Sequence, residues 1–352
     1  MKKLNDYALV TLFLADVGRG VAEITEDDRE VLASYGWDAK AIDFEIGREA
    51  ALKAVDQIVV VGSIDGILTG AALLRFIGRP EEVGLVFTQA GTVDRLDPSE
   101  WAAKRRVAFV DLAVNNRDKA MTANFVRRLR EAGHELVAVC DEHDSQAWRE
   151  IVEIDGLLIK PQSQAQGQYK SSGAVLMAYA GHLLDAYGQA LCASADRADA
   201  MVFEGLGATV NAAVKSKMHD DARRVYLARH FAQSDVPDQT IQGWIEEYEA
   251  ILSNHQEILA TKLDLGDGIV RVSALGKAVD MTALMGELYK IARVVVVEVD
   301  RSVSFGTSDR EFDILASVKK VVPSASGFAG KANIEPEFEG VALKAVRAAL
   351  KG

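Results

Sequence analysis

The sequence predicts an α/β protein built on a doubly wound parallel sheet. Three observations carry that expectation. Short apolar runs recur along the first half of the chain, from Ile58-Val59-Val60-Val61 to Leu136-Val137-Ala138-Val139-Cys140. Continuous runs of this length suit strands buried on both faces. These runs alternate with helical stretches through short connections, the pattern of parallel strands joined by covering helices. Acidic residues then gather where the runs end, at Asp65, at Asp111 and in Asp141-Glu142-His143-Asp144. Open α/β sheets place their functional crevice at those strand ends.

The 352 residues are 49% hydrophobic and 26% charged, with a mean hydropathy of +0.03. This is a globular composition with length for two domains. A net charge of −12 argues against a groove for long nucleic acid, which needs a dense basic patch. Lys104-Arg105-Arg106 and Arg127-Arg128 read as solvated faces. A small anionic ligand needs only local positive charge and stays open. Cys140 and Cys192 make no disulfide framework and no metal-type spacing, which suits a reducing cytoplasm. The apolar run 7–15, bracketed by Asp6 and Asp16, is too short to span a bilayer. Met1-Lys2-Lys3 makes a poor secretion signal. The run is expected to be a core helix, and no membrane partner is expected.

Residues 1–55 read as helical. Thr25-Glu26-Asp27-Asp28 opens one helix with acids that complement its dipole, and a second runs from about Asp38 to Val55. Strands are expected at 58–61, 83–87, 107–110, 136–140 and 156–159, with helices near 68–77, 117–132, 145–152 and 172–188. Over residues 201–262, Glu204-Gly205-Leu206-Gly207 reads as a loop. Asp220-Asp221-Ala222-Arg223-Arg224 opens a helix, and 241–259 is another with apolar positions at helical spacing.

Asp65 follows the first strand in Gly62-Ser63-Ile64-Asp65-Gly66. Taken singly, such a residue reads first as a helix cap. Taken with Asp111, the Asp141-to-Asp144 segment and Asp196 after the apolar stretch 190–195, it belongs to a set of carboxylates at one sheet rim. Such groups repel one another, and a hard cation relieves them. The competing reading gives each acid its own local cap or loop hydrogen bond. His143 likewise reads either as a phosphate-facing group or as a partner of Asp141 or Asp144. His134, His182, His219, His230 and His255 have no motif context, and Cys140 reads as a small core residue.

This order of strand-Asp-Gly, strand-Asp, strand-Asp-Glu-His and a further Asp resembles the DHH phosphoesterase superfamily. That group includes RecJ exonucleases, nanoRNases and family II inorganic pyrophosphatases. Tyr169-Lys170-Ser171-Ser172-Gly173-Ala174-Val175 is similar to the family's serine-rich helix start. Segment 275–291 is similar to an apolar strand and helix of its associated substrate domain, and 294–299 to the central strand there. Ser308-Asp309-Arg310 is similar to its Ser-x-Arg-Ser motif. Gly327-Phe328-Ala329-Gly330-Lys331-Ala332-Asn333 resembles a worn Gly-Gly-Gly-His loop.

The resemblance covers roughly 57–352. The helices expected over 1–55 are not part of it; it implies a DHH-like domain over 56–200, a helical linker over 201–262 and a smaller C-terminal α/β domain with a mixed sheet over 263–352. It further implies one divalent ion, Mn²⁺ or Mg²⁺, on Asp65, Asp111, Glu142 and Asp196. The family's second ion loses its own ligands here, because residues 59–61 offer no His or Asp and Ser63 stands where an Asp is usual. Asp141 and His143 take the catalytic positions. Lys170, Ser171, Ser172, Arg310, Gly327, Gly330 and Lys331 take the substrate side, with Lys331 as a point charge for phosphate and the glycines admitting backbone N–H groups.

The implied function is a phosphoesterase acting on a small phosphate ester, such as a nucleotide or short oligonucleotide. The alternative is an inactive relative that binds a ligand or partner. A dinucleotide-binding reading ranks last, since the first turn lacks G-x-G-x-x-G. The expected partner is a small phosphorylated ligand, with room for a homodimer.

Overall fold

The computed structural model describes residues 7–101, 104–162 and 170–351. Tyr169 of the serine-containing stretch lies outside them, as do Met1 to Lys3 and Asp6 before the first helix. The chain divides into two compact units, Met1–Gln242 and Gly243–Gly352.

The first unit opens with three helices, α1 (Tyr7–Gly18), α2 (Glu26–Ser34) and α3 (Ala39–Lys53). Thr25 closes a capping box on α2: its hydroxyl accepts from the Asp28 N–H at 3.2 Å, and the Asp28 carboxylate accepts from the Thr25 N–H at 3.0 Å. Asp38 caps α3. Val10, Leu14, Leu32 and Ile42 form the small core these helices share.

The doubly wound body follows as β1 (Gln57–Val61), α4 (Ile64–Ile77), β2 (Gly84–Thr88), β3 (Arg106–Val110), α5 (Lys119–Glu131), β4 (Glu135–Cys140), α6 (Ser145–Arg149), α7 (Ser172–Ala180), α8 (Ala186–Asp199), α9 (Leu206–Ser216) and α10 (Asp221–Gln233). The sheet order is β2-β1-β3-β4, parallel throughout. From β1 the chain crosses to β2 on one side, and β3 lies on the other. The carboxyl ends of β1 and β3 therefore flank the switch point where such sheets bind ligands. Helix α4 packs against α8 and α10 and is buried almost all round, with Ile67, Leu68, Ala71, Ala72, Leu73 and Leu74 wholly covered. Gly70 faces Val60 of β1, with ordinary packing room at 3.6 Å from where a Cβ would stand.

Four expectations in this unit need correction. Leu206 and Gly207, expected in a loop, open α9. The strand expected at 156–159 is a single parallel bridge, Ala138 to Ile159, after a 3₁₀ turn at Ile154–Gly156. The helix expected over 172–188 is two helices, because Asp185 accepts from the Gly188 N–H at 2.8 Å and starts α8. Helix α6 ends at Arg149 rather than near 152.

Helix α11 (Gln239–Ala260) runs through the unit boundary. The second unit contains β5 (Leu263–Asp264), β6 (Ile269–Ser273), α12 (Met281–Leu288), β7 (Val294–Val299), β8 (Ser302–Thr307), α13 (Ile314–Lys319), β9 (Ser326–Phe328), β10 (Lys331–Ile334) and α14 (Glu339–Lys351). Its mixed sheet runs β5-β6-β7-β8-β10-β9, with only β6 and β7 parallel. Alternation along β7 sends Val294 and Val296 to one core and Val295 and Val297 to the other. The strand expected within 275–291 lies earlier, at β6. It stops at Ser273, before a turn in which Gly276 takes φ 68°, and only α12 occupies that segment. Among the described residues, no helix is long and apolar enough to cross a membrane.

Candidate metal centre

The first turn is built around Ser63. Its hydroxyl caps α4 by accepting from the Gly66 N–H at 3.0 Å, and it donates to Asp111 Oδ2 at 2.5 Å. Asp65 is thus not the cap. It sits in the first turn of α4, 6% exposed, with Ser172 Oγ at 3.4 Å from its Oδ2. Ser172 is in turn fixed by Thr69 at 2.9 Å. Arg224 of α10 pins the same turn by donating from Nε to the Gly62 carbonyl at 3.1 Å. Gly66 has no room for a side chain: a Cβ would meet the Val61 carbonyl at 2.5 Å, Ser63 Oγ at 2.8 Å and Asp111 Oδ2 at 3.1 Å. Gly66→Ala is therefore expected to cost about 2–4 kcal/mol of stability, read from a denaturant midpoint. An unchanged midpoint would mean that the turn relaxes freely.

Strand β3 delivers Asp111, which adopts φ 57° and anchors itself by donating its N–H to the Cys140 carbonyl at 2.8 Å. A left-handed non-glycine residue costs on the order of 1–2 kcal/mol, and such strain gathers at functional sites. Strand β4 delivers the Asp-Glu-His run. Asp141 is wholly buried and both its oxygens are used: Oδ1 accepts from His143 Nδ1 at 2.8 Å and Oδ2 from Trp148 Nε1 at 2.7 Å. Asp144 caps α6 through the Gln146 N–H at 3.0 Å. Glu142 Oε1 lies 3.2 Å from His143 Nδ1, while Oε2 is buried with no hydrogen-bond partner among the described residues.

These groups titrate away from their ordinary values. Burial pushes the Glu142 carboxyl up to about 8, with the Asp141 charge adding to it. Burial also raises Asp111 well above the carboxylate range, reinforced by Asp65 and Glu142. Asp65 is raised by burial. The hydrogen bond to Asp141 lifts His143 to about 9. The cause is common to the carboxylates: anions are crowded where water cannot screen them.

Asp111, Asp141, Glu142 and His143 each offer one ligand atom within 4.8 Å of the others. Asp65 couples to this set through its charge. Asp196 is engaged by Ser171, whose hydroxyl donates to its Oδ1 at 2.9 Å and also caps α7. Lys170 is exposed. Arg310, Gly327, Gly330 and Lys331 belong to the second unit. Asp199, exposed on α8, is raised by partial burial and by the charge of Asp65. The residue missed from sequence is Trp148, the second partner of Asp141.

The donor set fits a hard divalent cation. Asp65, Asp111, Asp141 and Glu142 are all under a tenth exposed, and one carboxylate oxygen is buried without a proton donor among the described residues. An unpaired buried anion is costly, and oxygen-rich sets of this kind select Mg²⁺, Mn²⁺ or Ca²⁺.

No family model and no curated protein matches the sequence. Solved structures do match in fold. A pGpG-specific phosphodiesterase, PggH from Vibrio cholerae, superposes with a TM-score of 0.57 at 12% identity, over 84% of this chain and 98% of that one. RecJ from Thermus thermophilus in complex with Mn²⁺ superposes with a TM-score of 0.52 at 14% identity, over 97% of this chain and 59% of that one. A manganese-bound exonuclease RecJ gives 0.50 at 13% identity, over 87% and 94%. At such identities the likeness shows the fold alone, and that fold is the DHH-type fold the resemblance implied.

Proposed function

We propose that this protein is a divalent-metal-dependent phosphoesterase with a reduced centre of one ion, acting on a small phosphate ester such as a nucleotide or short oligonucleotide. The observation that carries this reading is the buried Glu142 Oε2, without a hydrogen-bond partner among the described residues, amid crowded carboxylates at the strand ends. The phosphodiesterase and manganese-bound exonucleases of like fold support it. Asp65, Asp111 and Glu142 would hold the ion, with Asp199 and Asp196 on the adjoining helix. When bound, the ion supplies Lewis-acid polarisation of a phosphoryl oxygen.

The chain's own residues do the rest. Asp141 takes the Nδ1–H of His143 and fixes the ring, so Nε2 is the atom left to face substrate. With its pKa lifted to about 9, the imidazole carries a proton at neutral pH and can give it from Nε2 to a departing oxygen. Trp148 and the Gln162 N–H, which donates to the Asp141 carbonyl at 2.8 Å, hold Asp141 in place. Ser63 satisfies one oxygen of Asp111 with a proton where the family resemblance places an Asp, which supports one ion over two. The two free, buried cysteines support a reducing, cytoplasmic setting.

A binding-only protein is the second reading, and the same Ser63 favours it. Calorimetry with Mn²⁺ is expected to give about one ion per chain, and a model phosphodiester or short oligoribonucleotide is expected to be cleaved slowly with Mn²⁺ present. No divalent binding at millimolar metal ends the proposal. Binding without cleavage across a nucleotide panel assigns the second reading.

A further inference from the structure

Two deeply buried charges sit on α3, far along the chain from the carboxylate cluster. Arg48 is 4% exposed and Glu45 is 6% exposed. Arg48 donates from Nη2 to Glu45 Oε1 at 2.5 Å and from Nη1 to the Tyr179 carbonyl at 3.3 Å. Its guanidinium carbon stands 5.3 Å from the ring centre of Phe44 and 5.6 Å from that of Tyr179. A carboxylate, a carbonyl and two ring faces thus replace the water that this cation gives up. Burial raises the Glu45 carboxyl, and the charges of Arg48 and Lys160 oppose that rise. Side chains of α3 therefore reach both Lys160 and the last turn of α7. A buried ion pair adds little stability over apolar groups of the same shape, so its use here points to geometry.

What Arg48 holds is connected to the centre by two routes. The first passes through the Tyr179 side chain. Its hydroxyl accepts from Gln162 Nε2 at 2.5 Å, and the Gln162 N–H donates to the Asp141 carbonyl at 2.8 Å. Asp141 in turn carries His143 and Trp148 on its carboxylate and directly precedes Glu142. The second route runs along α7. The Tyr179 carbonyl lies among the last carbonyls of that helix, which lack intrahelical donors, and Arg48 supplies one. At the other end of this nine-residue helix the Ser171 hydroxyl donates to Asp196 Oδ1 at 2.9 Å, and Ser172 Oγ stands 3.4 Å from Asp65 Oδ2. So short a helix moves as a rod, and a hold on its last turn sets where its first turn stands.

We propose that Arg48 is a positioning residue of the metal centre. From α3 it fixes Asp141 through Tyr179 and Gln162, and it fixes the serines that meet Asp65 and Asp196 through α7. The N-terminal helices, which lie outside the family resemblance, thereby take part in the centre. In treating the cluster as an ion's site, the inference rests on the proposed function. The test uses the full chain and two measurements: Mn²⁺ affinity by calorimetry and, in chelator, hydrogen exchange at the Gln162 amide. Arg48→Met alone would leave Glu45 buried without its partner, so it is made together with Glu45→Gln. This double variant is expected to weaken Mn²⁺ binding about tenfold, the scale set by residues that support metal ligands. Exchange at Gln162 is expected to quicken by a similar factor. Tyr179→Phe is expected to give part of both changes. Added to the double variant it is expected to change nothing further, because members of one contact chain are not additive. Ile42→Ala opens a hole in the core shared by α1, α2 and α3. It is expected to lower the denaturant midpoint and leave Mn²⁺ affinity as it was.

The inference is overturned if the double variant binds Mn²⁺ as tightly as the parent, or if exchange at Gln162 is unchanged. An equal loss of Mn²⁺ affinity in Ile42→Ala overturns it too, since general loosening then explains both. A parent chain that binds no Mn²⁺ ends the ion reading, and exchange at Gln162 then decides by itself. Faster exchange in the double variant upholds the hold of Arg48 on Asp141, and unchanged exchange removes it.

Discussion

Asp111→Asn is expected to abolish divalent-ion binding while making the ion-free chain more stable. The two effects have one origin. Asp111 is buried against Asp65, Asp141 and Glu142, so its charge is costly until a cation arrives. Asparagine keeps the shape, tolerates the left-handed backbone at φ 57°, and still offers Ser63 an acceptor. Neutralising the group is expected to add about 1–3 kcal/mol in chelator near pH 8, a large change for one substitution. Mn²⁺ affinity is expected to fall a hundredfold or more. Urea denaturation in chelator and calorimetry with Mn²⁺ measure the two halves. A variant that is less stable in chelator yet binds Mn²⁺ normally would show that these acids serve the fold and not an ion.

The second large effect is on pH. Glu142 rises from 4.5 to about 8 and His143 from 6.5 to about 9, and Asp65 and Asp111 rise as well. Each group holds its proton more tightly folded than unfolded. The stability it contributes is therefore full below its ordinary value and is lost as pH climbs through the raised one. For Glu142 that window is 4.5 to about 8, and for His143 it is 6.5 to about 9. In chelator the melting temperature is expected to drop by roughly 5 °C or more between pH 5.5 and pH 9. With saturating Mn²⁺ the ion takes the place of the protons, the slope flattens, and apparent affinity strengthens as pH rises. A chelated chain that gains stability across this range would contradict the electrostatics of the cluster.

Strand cores in the first unit were legible because burial on both faces leaves an unbroken apolar run, as in Ile58 to Val61. The segment at Ile159 was harder, since a single bridge needs little of that pattern. The break between α7 and α8 depended on a cap at Asp185 inside a stretch that reads as helix throughout. That break hid where α8 begins. The acids at the strand ends were visible as a list. Their division of labour was not, because which oxygen meets Trp148 and which meets nothing depends on packing several residues away. In the second unit, segment 275–291 suggested a strand that the turn at Gly276 denies it, and the true strand ends at Ser273.

The chain carries four tryptophans, and the one on α6, Trp148, donates its indole N–H to a carboxylate of the cluster at 2.7 Å. Its ring is wholly buried and tilted against Phe109 of the sheet, at 5.9 Å between centroids. The excited indole is sensitive to nearby charge. A change of charge at the centre, such as an arriving cation, is therefore expected to alter the emission of this indole in the unlabelled protein.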